Sequence, residues 1–272
     1  MKMKCLIRTV SIFVLFILVF LPLMPIAADP GAQKDKLVGH WTFEKGEELK
    51  DLTGNFPDIE LIGAKIANGA LDIDKGKWAI TAGDYTGPEV TDMTLISWAT
   101  IQDQAVTKGS LLCLDHVSKD EFNAIVFAER QPNEWMSGSS WFKRTDDFKP
   151  GFKDTTTGKK FMMAITYKGP NPLTVKGYRD GKNISGDGYE KGEIVTYKKG
   201  DAEAIWGKRH SADGKTGPGD LDCLIHESRI YATALTEDEI KGLKEGTLGN
   251  AANVDASSKL PTAWAKIKAA NN

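Results

Sequence analysis

Cysteine is scarce in this chain: there are three in 272 residues, and only Cys113 and Cys223 lie beyond the first 28. Two thiols cannot build the disulfide framework of a small stapled domain, and no paired-cysteine zinc pattern occurs. Their contexts, SLLCL and LDCLI, suit either a single cross-link formed in an oxidising compartment or two buried apolar thiols. Histidine is nearly as rare, and the four at positions 40, 116, 210 and 226 show no ligand spacing. No G-x-S-x-G elbow and no phosphate-cradling P-loop is present. Positive charge is not in excess either: 35 Lys and Arg stand against 37 Asp and Glu. Three of the basic residues fall in the first 28, so the rest of the chain is about five charges negative. That balance leaves no electrostatic footprint for nucleic acid or for an anionic membrane surface.

What is present begins with Lys2, Lys4 and Arg8, an apolar run from about Thr9 to Ile26, and then Ala27 and Ala28. This is the pattern of a secretory signal peptide over 1–28, which places the remainder outside the cell or in a periplasm. The apolar run is nearly long enough to span a bilayer, so an uncleaved N-terminal anchor is the alternative. Cys5 precedes that run instead of closing it, which argues against lipoprotein attachment. No linker divides the next two hundred or so residues, so one domain over 37–245 is expected. Residues 246–272 read as a flexible tail with a short helical stretch, LPTAWAKIK, whose Trp264 is positioned to dock.

Short alternating runs separated by turn residues fill the domain: LVGHWTF, GALDI, KWAIT, MTLISWATI, SLLCLD, NAIVF, KFMMAITY, LTVKGYR, IVTY and AEAIW. In the first, Leu37, Trp41 and Phe43 share a face. In KFMMAITY, Phe161, Met163, Ile165 and Tyr167 share the face expected between two sheets. Asp180-Gly181 predicts a two-residue hairpin, because both central positions of that turn need positive φ. Near the C-terminal end, Ile225, Glu227, Arg229 and Tyr231 alternate with Leu224, His226, Ser228 and Ile230, and neither set is cleanly apolar. Thr236 and Glu239 stand in capping-box spacing, with Leu235 and Ile240 at the staple positions, predicting a helix over about 236–244 that ends near Gly246. Many short strands with one late helix describe an all-β, two-sheet antiparallel sandwich.

Four stretches in order, LVGHWTFEKGEELKDLTGN, MTLISWAT, FMMAITYKGPNPLTVKGYRDGK and IHESRIYATALTEDEI, resemble the laminin-G-like, concanavalin A-like jelly-roll family over residues 37 to about 243. The resemblance implies two packed antiparallel sheets of about a dozen strands. It also implies a module that binds glycans, proteins or both, often with calcium. His226 and Ser228 depart from the family's usual I-D-E-V-R-I-Y, and His226 is expected to bond a neighbouring strand rather than a ligand. Glucanases of the same fold carry E-x-D on one strand, so that both carboxylates face one side. No Glu-x-Asp occurs here, and the adjacent pairs Glu47-Glu48, Asp120-Glu121 and Asp146-Asp147 read as solvated loop charges.

Two segments remain as candidate sites. NEWMSGSSWFKR offers Trp135, Trp141, Phe142 and Arg144 as a glycan-binding set, since aromatic faces stack on sugar rings while polar neighbours bond hydroxyls. HSADGKTGPGDLD offers Asp213, Asp220 and Asp222 as calcium ligands, since calcium takes six to eight oxygens from carboxylates and carbonyls. The expectation is a secreted, non-enzymatic recognition module for extracellular or cell-surface glycan. The alternatives are an adhesion protein that binds another protein, and then a divergent polysaccharide-degrading enzyme.

Overall fold

The computed structural model describes residues 30–246, apart from residues 82, 171 and 211–217. The expected signal segment and tail, including Trp264, therefore lie outside the described residues. A 3-10 turn at Pro30–Lys36 leads into strands β1 (Leu37–Trp41), β2 (Ile59–Ile62), β3 (Lys65–Ala67), β4 (Ala70–Ile73) and β5 (Trp78–Thr81). Next come β6 (Met93–Ile101), β7 (Ser110–Asp115), β8 (Phe122–Phe127), β9 (Trp135–Gly138) and β10 (Phe161–Lys168). The chain closes with β11 (Thr174–Arg179), β12 (Lys182–Asn183), β13 (Tyr189–Glu190), β14 (Glu203–Trp206), β15 (Cys223–Tyr231) and helix α1 (Glu237–Gly242).

These strands form two antiparallel sheets. One has nine strands in the order β12-β11-β10-β6-β15-β4-β3, with β1 also on β15 and β13 also on β11. The other has six, in the order β2-β5-β14-β7-β8-β9. Phe161, Met163, Ile165 and Tyr167 face the core between the sheets, as their period requires, while Met162 and Ala164 face the opposite side. The inner faces of the six-stranded sheet add Leu112, Leu114, Ile125, Phe127 and Trp206. Its outer face is also apolar, carrying Trp78, Cys113, Phe122, Ala124, Val126 and Ile205. Asp180 and Gly181 adopt φ of 51° and 74°, as the hairpin needs.

Two bulges change the expected facings. A register shift between Ile225 and Glu227 places His226 as the extra residue of β15. Ile225 and Ile230 both reach the inter-sheet core as a result, whereas Tyr231 joins the outer cluster of the nine-stranded sheet beneath α1. The mixed character of both alternating sets follows from this break. His226 is half-buried and its Nε2 lies 3.0 Å from Thr100 Oγ1 on β6. A second shift, between Leu37 and Gly39, turns Leu37 away from Trp41 and Phe43 toward the outer cluster. Gly39 is required there, since a Cβ would meet the Trp41 ring at 2.6 Å.

Helix α1 is entered through the capping box. Thr236 Oγ1 accepts from Glu239 N (3.3 Å) and Glu239 Oε2 accepts from Thr236 N (2.7 Å). Leu235 and Ile240 are buried together. Thr236→Ala removes one cap acceptor and should cost about 1 kcal/mol in urea denaturation. A loss within about 0.3 kcal/mol would show that tertiary packing alone holds the helix. Cys113 and Cys223 are free and buried, one in each sheet, and burial pushes both thiols well above their ordinary range.

Candidate functional site

The four aromatic and basic residues of the first candidate segment separate in the structure. Trp135 is 2% exposed: its ring lies in the core at 4.8 Å from Phe127 and 5.4 Å from Phe161, and its Nε1 donates to Asp154 (3.1 Å). Arg144 is 4% exposed and donates to the Phe122 carbonyl (2.9 Å) and Asn123 Oδ1 (3.3 Å). Neither offers a face to a ligand. Phe142 is half-buried against the outer face of the six-stranded sheet, with the Arg130 guanidinium 5.6 Å from its ring centre. Trp141 alone is open, at 83% exposure.

The turn that presents Trp141 is held from below. Ser139 Oγ bonds Thr145 Oγ1 (2.8 Å) and accepts from Arg144 N (2.9 Å), Thr145 Oγ1 donates to the Ser137 carbonyl, and the buried Arg144 side chain ties the turn to β8. Both Trp141 and Phe142 adopt φ of 54°. Left-handed backbone at a bulky residue costs of order 1–2 kcal/mol, and two in succession persist only where the surroundings impose them. Backbone strain spent to hold an indole in solvent points to use of that indole.

Trp141 does not stand alone. Its Nε1 donates to Asp120 Oδ2 (3.1 Å) in the loop between β7 and β8. Asp120 also lines a polar pocket of about 140 Å³ together with Asp115, His116, Ser118, Lys119 and His210. Val117, 56% exposed, forms part of its wall. Val117, one of four exposed large hydrophobics among the described residues, thus lines the pocket, and a second, Trp141, is tied to its edge through Asp120. Its volume equals that of about four or five waters, which suits a small polar ligand or one end of a longer one.

Sheet order assembles these groups. β7 lies between β14 and β8, and β9 follows β8, so the loop after β7 meets both the entry to β14 and the turn after β9. Beyond β14 the chain turns back over the outer face of the sheet. There the His210 ring stacks on Phe122 (4.8 Å, 11°), with Nε2 3.8 Å from Asp120 Oδ1. Burial holds the His210 pKa below its ordinary 6.5, against the pull of Asp120, so the ring is neutral at pH 7. Sequence reasoning missed Asp120, His116 and His210. Asp120 read as one of a solvated pair, and the two histidines are too far apart in sequence to suggest a common site.

Of the second candidate, Asp220 and Asp222 are among the described residues and have different partners. Asp220 Oδ1 accepts from Lys208 Nζ (2.6 Å) and Gly76 N (3.1 Å), which engages it in an ion pair. Asp222 bonds Gln102 (3.3 Å) instead, and burial, then Asp74, Asp103 and Asp72, raise its pKa above 3.8. Asp213 lies outside the described residues. Among the described residues, no group of three His, Cys, Asp or Glu is arranged to hold a metal ion. No helix among them is long and apolar enough to cross a membrane.

No family model and no curated protein matches this sequence. Solved structures do share its fold. A Trypanosoma rangeli sialidase in complex with 2,3-difluoro-KDN is similar with a TM-score of 0.55 and 16% identity, over 82% of this chain and 35% of that one. A mutant of HCR/D is similar with a TM-score of 0.50 and 13% identity, over 77% and 51% of the two chains. Domain 4 of AbnA, a GH43 extracellular arabinanase from Geobacillus stearothermophilus in complex with arabinotriose, scores 0.48 at 20% identity, over 76% and 97%. The chain thus spans about a third of the sialidase and half of HCR/D. At these identities the likeness to the sialidase and to HCR/D is one of fold.

Proposed function

We propose that this chain is a laminin-G-like, concanavalin A-like module that binds extracellular or cell-surface glycan at the pocket flanked by Trp141. The observation that carries the reading is Trp141 itself. A large apolar ring is held in solvent by two left-handed residues and an Asp120 hydrogen bond, beside a pocket of hydroxyl-bonding groups. Sugars present this combination of surfaces, with C–H faces that pack on an indole and hydroxyls that need donors and acceptors. A Trypanosoma rangeli sialidase in complex with sialic acid, 32% of whose chain is similar to this one in fold, is consistent with a sugar ligand.

Trp141→Ala tests the reading. The side chain is exposed, so stability should stay within about 0.5 kcal/mol of wild type. Removing a central aromatic contact costs roughly 2 kcal/mol of binding, about a thirtyfold rise in Kd. Both proteins are applied to a broad glycan array, with calcium and with chelator, and hits are quantified by calorimetry. Hits that survive Trp141→Ala undiminished would move the site elsewhere. An array silent beyond a heat-denatured control would sink the glycan reading. Sugar release from a polysaccharide panel would replace binding with catalysis.

A further inference from the structure

We propose that the ligand is an oligosaccharide held through two successive sugar units, one entering the polar pocket and its neighbour stacked on Trp141, so that single sugars are poor ligands. The inference rests on the reading of this region as a glycan site and names the class of glycan that the site takes.

The pocket and the indole are separate contacts. Among the described residues, every residue that lines the pocket apart from Val117 is polar or charged. Such a wall bonds hydroxyls and offers little to the C–H face of a sugar ring. The platform for that face is Trp141, which is 83% exposed and does not belong to the lining. It meets the pocket by its edge, where Nε1 donates to Asp120 Oδ2 (3.1 Å), and the faces of the ring stay open.

The two contacts therefore ask for different placements of a sugar. A unit whose hydroxyls are held inside the pocket leaves the indole face uncovered, and a unit laid flat on the indole lies outside the polar wall. The pocket, at about 140 Å³, has the volume of about four or five waters and does not enclose two linked sugars. A chain of linked units satisfies both contacts at once. Asp120 lines the pocket and also bonds the indole, so the step from one contact to the other is short.

Linkage also decides the affinity. Once the first unit is bound, the second contact forms within one molecule, at a high effective concentration and without a further loss of rigid-body freedom. That gain requires a platform at a set distance from the pocket. The two successive left-handed residues, Trp141 and Phe142, and the Asp120 bond supply it, since they fix where the indole stands. Trp141 is thus a specificity-determining residue for chain length, and Asp120 is the joint between the two contacts.

The test compares Kd by calorimetry for xylose, arabinose, glucose, galactose and mannose with Kd for the linked di- and trisaccharide of each. At least one disaccharide should bind at least about tenfold more tightly than its single sugar. Trp141→Ala should bring that ratio down to about one. Asp120→Ala, at a side chain 46% exposed, should melt near wild type and weaken the same disaccharide at least about tenfold. A single sugar that binds as tightly as its di- and trisaccharide overturns the proposal and leaves the glycan reading standing. So does a ratio that survives Trp141→Ala, which would put the second unit elsewhere, and so does disaccharide binding undiminished by Asp120→Ala. If none of these oligosaccharides binds, the proposal fails, and the glycan array decides the broader reading by itself.

Discussion

Glu227→Ala should destabilise the protein by about 3–5 kcal/mol, because it strands a buried guanidinium. Glu227 and Arg229 are 1% and 0% exposed, and the bulge in β15 places them on the outer face of the nine-stranded sheet. Glu227 Oε1 meets His40 Nε2 (2.7 Å) and Arg229 Nε (2.5 Å), while Oε2 accepts from Gly246 N (2.6 Å). Arg229 also donates to the Lys244 carbonyl (2.9 Å) and lies 4.6 Å from the Trp98 ring centre. One carboxylate therefore joins the first strand, the last strand and the segment beyond α1. Total stability of a domain is about 5–15 kcal/mol, so the loss is a large share of it. Urea denaturation at pH 7 measures it, and a loss below about 1 kcal/mol would refute the account.

The same network predicts a pH dependence. Burial raises the Glu227 pKa, but the His40 bond, Arg229 and Gly246 outweigh it and hold the carboxyl below its ordinary 4.5. A depressed folded-state pKa stabilises the protein above the unfolded value, and that contribution is lost as pH falls through the folded value. The wild type should therefore lose stability below about pH 4.5 more steeply than Glu227→Gln. Replacing both partners by Leu and Met should recover much of the Ala loss, since an apolar pair leaves no stranded charge.

Asp51→Ala should cost about 3 kcal/mol or more, through the number of donors that one carboxylate serves. Its Oδ1 accepts from His40 N (2.8 Å) and Thr53 N (3.0 Å). Its Oδ2 accepts from Thr53 Oγ1 (2.6 Å), Asn55 N (2.9 Å) and Phe56 N (2.9 Å). The segment DLTGN thus folds around Asp51 and delivers Phe56 to Trp41, with ring centres 5.2 Å apart. Asp51→Asn leaves one acceptor oxygen and should cost about half as much. Thermal melting of both variants ranks them, and equal losses would show that the charge, not the count of acceptors, holds the loop.

Local patterns in the chain carried the strands, the hairpin and the helix. Period-two alternation is a property of neighbouring residues, so Phe161, Met163, Ile165 and Tyr167 could be assigned to the core without knowing their partners. The Asp180-Gly181 turn and the Thr236/Glu239 box are equally local, since each closes over two to four residues. Which side of a bulge a residue falls on is not local. The extra residue in β15 exists only against the register of β6, so Ile225 and Glu227 part company only once the sheet forms. The site shows the same division more sharply. The sequence identified Trp141 as a candidate beside Trp135, two aromatics of similar context that burial then separated into an exposed ring and a core ring. The hydrogen-bond partner of Trp141 came from elsewhere, since Asp120 lies 21 residues away, and in the adjoining pocket His116 bonds Asp201 across 85. Chain order says nothing of those distances. The placement of β7 between β8 and β14 decides them, because backbone hydrogen bonding across the sheet sets which loop ends meet.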